Sequence, residues 1–378
     1  MPRPARRRSA GPPPADRPAP AELILSAAQE IDRVPTTLDA ELLLSTLLGT
    51  AWSRSAPDRA AGLDAVVEAL TERVAGADAG PAGRIAALLS GPGTARATEG
   101  YAYGDRYGDQ TGYVVRFEDD GGDHALVLFV DHTLGLVRDI VVVAPASAVL
   151  DQLPAGTDDM SWSAPMEPGA VRVATAPYLR ATDLADELPD AGSLADSRWL
   201  AGRRLAQLPE VTTEPAAAPD RDELVTAFVA SPEARIAGLT RGSDAHREAV
   251  AYGLGLCVDF AATRGGDPLR WSPRAVEGFL LDWVHQRAVL DARDLAVLPD
   301  VLAAWVSWAG RRIGLPDDAV AATLDRIDAL RAEFARLGAT GEKQSPAVRA
   351  TAQLVAEGVD LADPAAVERW LAGYNASH

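Results

Sequence analysis

Residues Thr111–Pro145 read TGYVVRFEDDGGDHALVLFVDHTLGLVRDIVVVAP, a stretch rich in β-branched and aromatic residues. Its first run, Tyr113–Glu118, alternates between two faces, as a half-exposed strand does. The runs Ala125–Val130 and Ile140–Ala144 are apolar at every position, which is typical of strands covered on both sides. Asp and Gly residues between the runs favour turns. We therefore predict a three-stranded antiparallel meander over residues 111–145.

The segment before the meander has a helical pattern. Apolar residues recur every three or four positions from 21 to 91. Thr36 or Thr37 is placed to cap one helix, and Pro57 and Pro81 are placed to open two others. We expect four helices in this segment.

The segment after the meander is also mainly helical. Residues 153–171 resemble a loop, and a short strand is expected over 171–175. Residues 220–378 are almost wholly helical in pattern, with Pro299 beginning one helix and with five tryptophans that we interpret as core. The predicted fold class is an α+β N-terminal domain followed by an all-α C-terminal domain.

Proline-rich segments suggest the domain boundaries. Residues 1–20 combine five arginines with many prolines and are predicted to be a disordered basic tail. The sequence PEVTTEPAAAP at 209–219 has the composition of a linker. We therefore place one domain at 21–208 and a helical domain at 220–378.

Composition narrows the classes of function. The chain has 378 residues and a net charge of −18, which argues against general affinity for nucleic acid except through the N-terminal arginines. A single cysteine excludes an intramolecular disulfide and fits a reducing cytoplasm. No apolar run approaches the roughly 20 residues that a membrane span needs. We expect a cytoplasmic protein with protein partners.

Common catalytic motifs are absent from the sequence. It contains no P-loop, no GxSxG, no HExxH and no CxxC motif. Their absence favours a protein that is not an enzyme and that carries no cofactor.

The run VDHTLGLVRD contains the best candidate for chemistry. Asp131, His132 and Asp139 could hold a divalent metal, provided that the hairpin between them brings the carboxylates together. With a three-residue turn ending at Gly135, Asp131 would pair opposite Val137 and share a face with Asp139. With a two-residue turn, the carboxylates would point to opposite faces. The alternative is structural, with the carboxylates capping turns or pairing with Arg138.

Three tyrosines occur in a glycine-rich segment before the meander. The sequence GYAYGDRYGDQTG at 100–112 has glycine at every fourth position and carries Tyr101, Tyr103 and Tyr107. The functional interpretation is a mobile loop whose tyrosines stack on a ligand, and the alternative is an ordinary surface loop leading into the sheet.

Other polar candidates are weaker. Asp282 and His285 share a helical face, but a di-iron site needs two such pairs with further glutamates. Cys257 lies in an apolar helical run and is expected to be a buried, unreactive thiol.

Two runs resemble segments of uncharacterised actinobacterial proteins. FVDHTLGLVRDIVVV resembles their strand ending in Val-Asp-His with a following Leu-Gly turn, and DPLRWSPRAVEGFLLDWV resembles a helical domain of unknown function in proteins of the same kind. The resemblance implies no activity, cofactor or partner. Leu136 departs from the pattern, which has a second glycine at this position. Because of this departure, a strained turn in close contact with a ligand is less expected here.

Three functions remain as hypotheses from the sequence. The first is a non-catalytic cytoplasmic interaction or regulatory protein. The second is a metal-dependent hydrolase that uses Asp131, His132 and Asp139. The third is a DNA-associated regulator that uses the arginine-rich tail.

Overall fold

The architecture combines one antiparallel sheet with a large helical complement. A computed structural model describes residues 20–91, 93, 95–119, 122–154, 161–188, 192–211, 220–263, 267–360 and 362–377. The predicted disordered tail therefore lies outside the described residues, apart from Pro20, and so does most of the predicted linker. Below, residues 20–211 are called the N-terminal region and residues 220–377 the C-terminal region.

Five strands form one sheet in the order β4-β3-β2-β1-β5, with every neighbouring pair antiparallel. Strands β2, β3 and β4 confirm the predicted meander. Strands β1 and β5 lie where loops were predicted, so the predictions of a loop at 100–112 and at 153–171 were wrong in part. The strands are β1 Arg96–Asp105, β2 Gln110–Asp119, β3 Gly122–Asp131, β4 Leu136–Val143 and β5 Ser161–Pro165.

Close packing explains why β1 is rich in glycine. A Cβ atom on Gly104 would lie 2.7 Å from the Gln110 carbonyl oxygen and 2.9 Å from the Trp162 indole nitrogen. A Cβ atom on Gly112, opposite Tyr103 in the sheet, would lie 2.3 Å from the tyrosine ring. Gly104 and Gly112 therefore allow close approach within the sheet. Gly108 has a different role, because it adopts a φ of 74° in the turn between β1 and β2.

Eight helices belong to the described N-terminal region. One of them occupies residues 171–175, where a short strand was predicted, because the run continues a helical pattern that starts at a proline. Helix α4 begins after an Asp58 cap and not at Pro57. The helices are α1 Pro20–Ser26, α2 Ala28–Arg33, α3 Thr37–Arg54, α4 Arg59–Val74, α5 Gly80–Ser90, α6 Ser147–Leu150, α7 Pro168–Leu184 and α8 Leu194–Ala206.

The two faces of the sheet are covered differently. Val115, Leu126 and Leu128 point to the side of helices α3, α7 and α8 and belong to the main core of the N-terminal region. Val114 and Val127 point to the other side and pack with the segment around α6. Since β3 is buried on both faces, the prediction that it is a covered inner strand is confirmed. The same prediction for residues 140–144 was wrong, because β4 lies at the edge of the sheet and is only partly buried.

Nine helices and one π-helical turn make up the described C-terminal region. The turn, Phe279–Trp283, joins α12 to α13. Pro299 lies inside one long helix instead of beginning a new one, and an Asp291 capping box fixes the start of this helix. The helices are α9 Arg221–Val229, α10 Pro232–Ile236, α11 Asp244–Thr263, α12 Pro273–Gly278, α13 Val284–Arg287, α14 Ala292–Ile313, α15 Asp317–Thr340, α16 Pro346–Ala356 and α17 Pro364–Ser377.

The C-terminal region has a hydrophobic core of its own. Trp271, Trp305 and Trp308 are buried in it, as expected from the sequence, whereas Trp370 stacks on Tyr374 outside this core. The two main cores contain residues 24–208 and residues 224–334 respectively. An α+β fold is thus confirmed, while the division into two independent domains stays a prediction.

Arginine side chains satisfy the carbonyl groups at several helix ends. Arg84 donates to the carbonyl of Asp32 in the last turn of α2 and to that of Val34 just after it, at 2.8 and 2.9 Å. Arg203 donates in the same way to the carbonyls of Leu89 and Gly91 at the end of α5. The last carbonyls of a helix lack partners within the helix, and a planar guanidinium can bind two of them together. Within the described helices, none is both long and apolar enough to cross a membrane.

Candidate functional site

A cleft lies between the end of the sheet and the C-terminal region. Its volume is about 310 Å³, at the small end of the range of roughly 300–1,000 Å³ found for ligand sites. Aromatic side chains form much of its wall. The lining residues are the aromatic Tyr113, Trp162, Tyr178, Phe260 and Trp271, the polar Thr111 and His132, the charged Asp109, Asp267 and Arg270, and the small Gly108 and Ala261.

Strand geometry places the polar groups at one end of this cleft. Thr111 and Tyr113 are two residues apart on β2, so both side chains point to the helix-covered face. His132 immediately follows β3, and its backbone N–H donates to the Asp109 carbonyl at 2.8 Å. Tyr178 approaches from the inner side of α7. The site therefore draws on three separate elements of the N-terminal region.

A chain of hydrogen bonds links these side chains. Thr111 Oγ1 lies 2.8 Å from His132 Nε2, and Tyr178 Oη lies 2.8 Å from His132 Nδ1. Thr111 also hydrogen-bonds the Tyr113 hydroxyl. Because hydroxyl groups both donate and accept, the chain can run in either direction with a neutral imidazole. The cleft can therefore offer a ligand a donor or an acceptor without breaking this network.

The Tyr113 hydroxyl is held in its protonated form. Burial raises the pKa of Tyr113 above its usual value of 10.0, and the neighbouring Tyr178 raises it further, while the bond from Thr111 lowers it. The phenol is neutral near pH 7 and is a hydrogen-bonding group, not a charge.

The C-terminal region supplies the opposite wall. Phe260 of α11 and Trp271 stack with ring centroids 5.5 Å apart. The Trp271 indole N–H donates to the Pro268 carbonyl at 2.9 Å, so its polar edge is already satisfied. A molecule in the cleft would meet flat apolar surface on this side, which suits a planar group.

Ion pairs join the two regions beside the cleft. Asp131 is fully buried and lies 3.0 Å from the Arg274 guanidinium of α12. Arg106, in the turn between β1 and β2, pairs with Asp318 of α15 at 2.8 Å. These contacts hold the two walls together, with the Asp131 pair next to His132.

The buried Asp131 carboxylate is well satisfied. Burial tends to raise its pKa, but the Thr133 hydroxyl, the Arg274 charge and the backbone amides of Leu134 and Thr133 together lower it below 3.8. Both of these amides donate to Asp131, at 3.0 and 2.9 Å. Its role in the structure is thus to cap the hairpin turn and to anchor Arg274.

The two runs that carry the family resemblance meet at this cleft. The first contributes Asp131 and His132, and the second contributes Arg270, Trp271 and Arg274. These residues are more than 130 positions apart in the sequence, and only the fold brings them together.

The hairpin does not have either register considered from the sequence. Asp131 pairs opposite Leu136, and a β-bulge at Arg138 places Phe129 opposite Asp139. Gly135 does adopt the expected left-handed conformation, with φ of 70°. The predicted turns of two or three residues are therefore wrong, and four residues connect the paired positions.

The predicted metal ligands bind other groups. Asp139 accepts hydrogen bonds from the backbone N–H of Ile140 at 2.8 Å and from the Ser193 hydroxyl at 3.2 Å. Asp131 and His132 have the partners described above. Across the parts of the chain that the structure describes, no three His, Cys, Asp or Glu side chains are grouped to hold a metal ion. The geometry thus does not assemble Asp131, His132 and Asp139 as a metal site.

Asp139 instead protects the edge of the sheet. In the sheet that the described residues form, strand β4 has no neighbouring strand on its outer side, so its amides would be open to another strand. The Asp139 carboxylate binds the Ile140 amide, and the Thr182 hydroxyl of α7 accepts from the Val137 amide at 2.8 Å. Arg138, exposed at the bulge, further interrupts this edge.

The three tyrosines predicted as a ligand loop are not part of the cleft. Tyr101 and Tyr103 belong to β1 and pack with the segment around α6, on the sheet face away from the cleft. The Tyr101 hydroxyl donates to Glu99 at 2.9 Å. Tyr107 does lie in a turn, and its hydroxyl is 3.4 Å from the Ala319 carbonyl in the C-terminal region. Tyr113 and Tyr178 line the cleft instead.

The remaining polar candidates have structural environments. Asp282 forms an ion pair with Lys343 at 2.6 Å, whereas His285 is buried against Phe334. Burial lowers the pKa of His285 and raises that of the Cys257 thiol. Cys257 is fully buried, as the sequence predicted for an unreactive thiol.

Comparisons of the chain with protein-family models, with curated proteins and with solved structures found no match in any of the three. The interpretation of the cleft therefore rests on its own geometry, and the family resemblance stays a prediction.

Proposed function

We propose that this chain is a non-catalytic regulatory or interaction protein of the cytoplasm that binds a small planar molecule between its two regions. The observation that carries the proposal is the cleft itself, which has aromatic walls from both regions and one hydrogen-bonded polar end. Ligand sites commonly combine apolar, aromatic walls with a few fixed polar groups, and they favour interfaces between structural units.

The composition of the cleft suggests the chemistry of the ligand. Its volume corresponds to roughly ten water molecules at about 30 Å³ each, so the ligand is small. The stacked Phe260–Trp271 wall favours a flat ring. The Thr111–His132–Tyr178 chain favours a ring substituent that forms hydrogen bonds.

Position between the regions gives the cleft a regulatory role. A ligand that contacts both walls binds more tightly when the walls are close than when they are apart. This difference in affinity shifts the protein toward the arrangement with the walls close together. The Asp131–Arg274 and Arg106–Asp318 pairs already favour that arrangement. Occupancy of the cleft would thereby bias the relative position of the two regions and their contacts with partners.

The metal-dependent hydrolase has less support. Its three proposed ligands are engaged by amides, hydroxyls or a guanidinium, as described above. The DNA-associated regulator depends on residues 1–20, almost all outside the described residues, and stays a prediction.

A direct test uses simple aromatic probes. Saturation-transfer NMR with indole, benzamide and benzoate should show binding to the wild-type protein, with the ring protons most strongly saturated. Thr111→Val removes one hydroxyl at nearly constant shape and should weaken binding of benzamide by roughly tenfold, the effect of one hydrogen bond of about 1.4 kcal/mol.

Two neighbouring substitutions on α11 provide the matched control. Ala261 lines the cleft, so Ala261→Phe fills it and should abolish probe binding. Ala262 is exposed on the same helix, so Ala262→Phe should leave binding unchanged. Equal binding by both variants, with melting temperatures close to wild type, would contradict the proposal.

A further inference from the structure

A second concave surface lies on the far side of α7 from the cleft. It is a groove between α7 and α8, closed at one end by the start of α4, with a volume of about 510 Å³. Arg172, Ala176, Arg180 and Leu184 follow one another at four-residue spacing along its α7 wall. Such spacing places all four side chains on one face of the helix.

The groove exposes apolar surface. The Leu184 side chain is 50% exposed, whereas Leu205 of α8 is buried in the floor. Gly202 of α8 also lines the groove. A Cβ atom added to it would approach only the Arg198 guanidinium, at 3.3 Å. The wall from Arg172 to Leu184 is thirteen residues long, or roughly 18 Å of helix, which matches a helical segment of about three turns.

The accessible charge of the groove is positive. Of its two carboxylates, Asp183 binds the Trp52 indole N–H and the Arg198 guanidinium, whereas Asp58 caps α4 through the Ala61 amide and keeps its negative charge. The two remaining guanidinium groups, of Arg172 and Arg180, outnumber this one carboxylate. Arg172 and Arg180 form no ion pair within the described residues. Among the described residues, the groove therefore presents two guanidinium groups without an ion pair beside apolar surface, on a chain whose net charge is −18.

We infer that this groove docks an acidic amphipathic helix of a partner protein. The apolar face of such a helix covers Ala176, Leu184 and Leu205, and its carboxylates pair with Arg172 and Arg180. The argument for carboxylates is local, since Arg172 and Arg180 lie beside the apolar surface of the groove. A second copy of the chain and nucleic acid are the other occupants that the experiment distinguishes. The inference rests on the proposed role as an interaction protein but not on ligand binding in the cleft.

Photo-crosslinking in cells of the native host tests this occupant. A benzophenone amino acid replaces Ala176, and the cross-linked partner segment is sequenced by mass spectrometry. The expected product joins Ala176 to a segment of another protein that has apolar residues at three- and four-residue spacing and several Asp or Glu residues. The matched control carries the same amino acid at Ile236, an exposed apolar position in the C-terminal region, and should not give that product.

Two variants make the test specific. Reversing both charges with Arg172→Glu and Arg180→Glu should lower the yield of the cross-link roughly tenfold, since it replaces two exposed ion pairs by repulsion. Gly202→Leu should block the groove and remove the product, and both variants should melt within a few degrees of wild type.

Other products overturn the inference. The inference is wrong if Ala176 cross-links to a second copy of the chain, to nucleic acid or to a segment without acidic residues. It is also wrong if no cross-linked product forms. If the protein does not bind the aromatic probes but forms the cross-link, only the proposal of a ligand site in the cleft is refuted. If it binds the probes but forms no cross-link, only the proposal of a docking site in the groove is refuted.

Discussion

The buried His124 gives the protein a defined dependence of stability on pH. Its Nε2 accepts a hydrogen bond from Arg204 Nε at 3.0 Å, its ring stacks on Phe117, and Arg204 is in turn paired with the buried Glu41. Burial, and then the positive charge of Arg204, lower the pKa of His124 from 6.5 to about 4. In the folded protein this imidazole is therefore neutral at all but acidic pH.

The sign and size of the effect follow from linkage. The unfolded chain binds a proton at His124 near pH 6.5, but the folded chain does so only near pH 4. Stability from this residue is complete above about pH 6.5 and is lost as the pH falls toward 4. A difference of about 2.5 pH units at 1.36 kcal/mol each gives a loss of about 3 kcal/mol in the free energy of unfolding.

Urea unfolding at a series of pH values measures this loss. His124→Gln keeps an acceptor for Arg204 and removes the titration, so it is the matched control. Between about pH 7 and pH 4, the wild type should lose about 3 kcal/mol more than the variant. Parallel stability curves for the two proteins would refute the reasoning, as would an NMR titration that gives His124 a pKa near 6.5.

Three further predictions concern other parts of the molecule. Asp131→Asn keeps the oxygen that accepts in the turn but loses the charge facing Arg274, so it should lower the free energy of unfolding in urea by about 1–3 kcal/mol. Arg274→Met should lower it less, since this guanidinium is half-exposed. An Asp131→Asn variant as stable as the wild type would contradict the assigned role. Trp305→Ala should cost about 3–5 kcal/mol, because the side chain is fully buried in the second core, and a cost below 1 kcal/mol would contradict that packing. The Cys257 thiol, whose pKa is raised by burial, should react with a disulfide reagent only after urea unfolding; rapid labelling of the native protein would show that it is accessible.

Much of the fold could be predicted because it depends on local patterns. Alternating or continuous apolar runs identified β2, β3 and β4, and the Thr36 cap begins α3, as one of the two alternatives from the sequence predicted. Strand β1 was missed because its glycines resemble a loop, although their actual cause is contact with residues from other strands. That contact cannot be read from the local sequence.

The candidate site was predicted only at His132 and its neighbour Asp131. The cleft depends on how β2, β3, α7 and α11 meet, and no short motif records that meeting. The three predicted metal ligands do not converge, because a bulge at Arg138 changes the hairpin register and the Ile140 amide binds the Asp139 carboxylate. The two sequence runs that resemble the actinobacterial proteins meet at the cleft. They were therefore the indication of its location in the sequence.

The most direct test of the central claim is a crystal structure of the protein soaked with benzamide and with indole. The proposal predicts ring density against the Phe260–Trp271 wall, with the benzamide amide hydrogen-bonded to the Thr111–Tyr113 end of the cleft, and no such density in Ala261→Phe crystals. An empty cleft at probe concentrations that saturate the protein in solution, or density only at other sites, would contradict it.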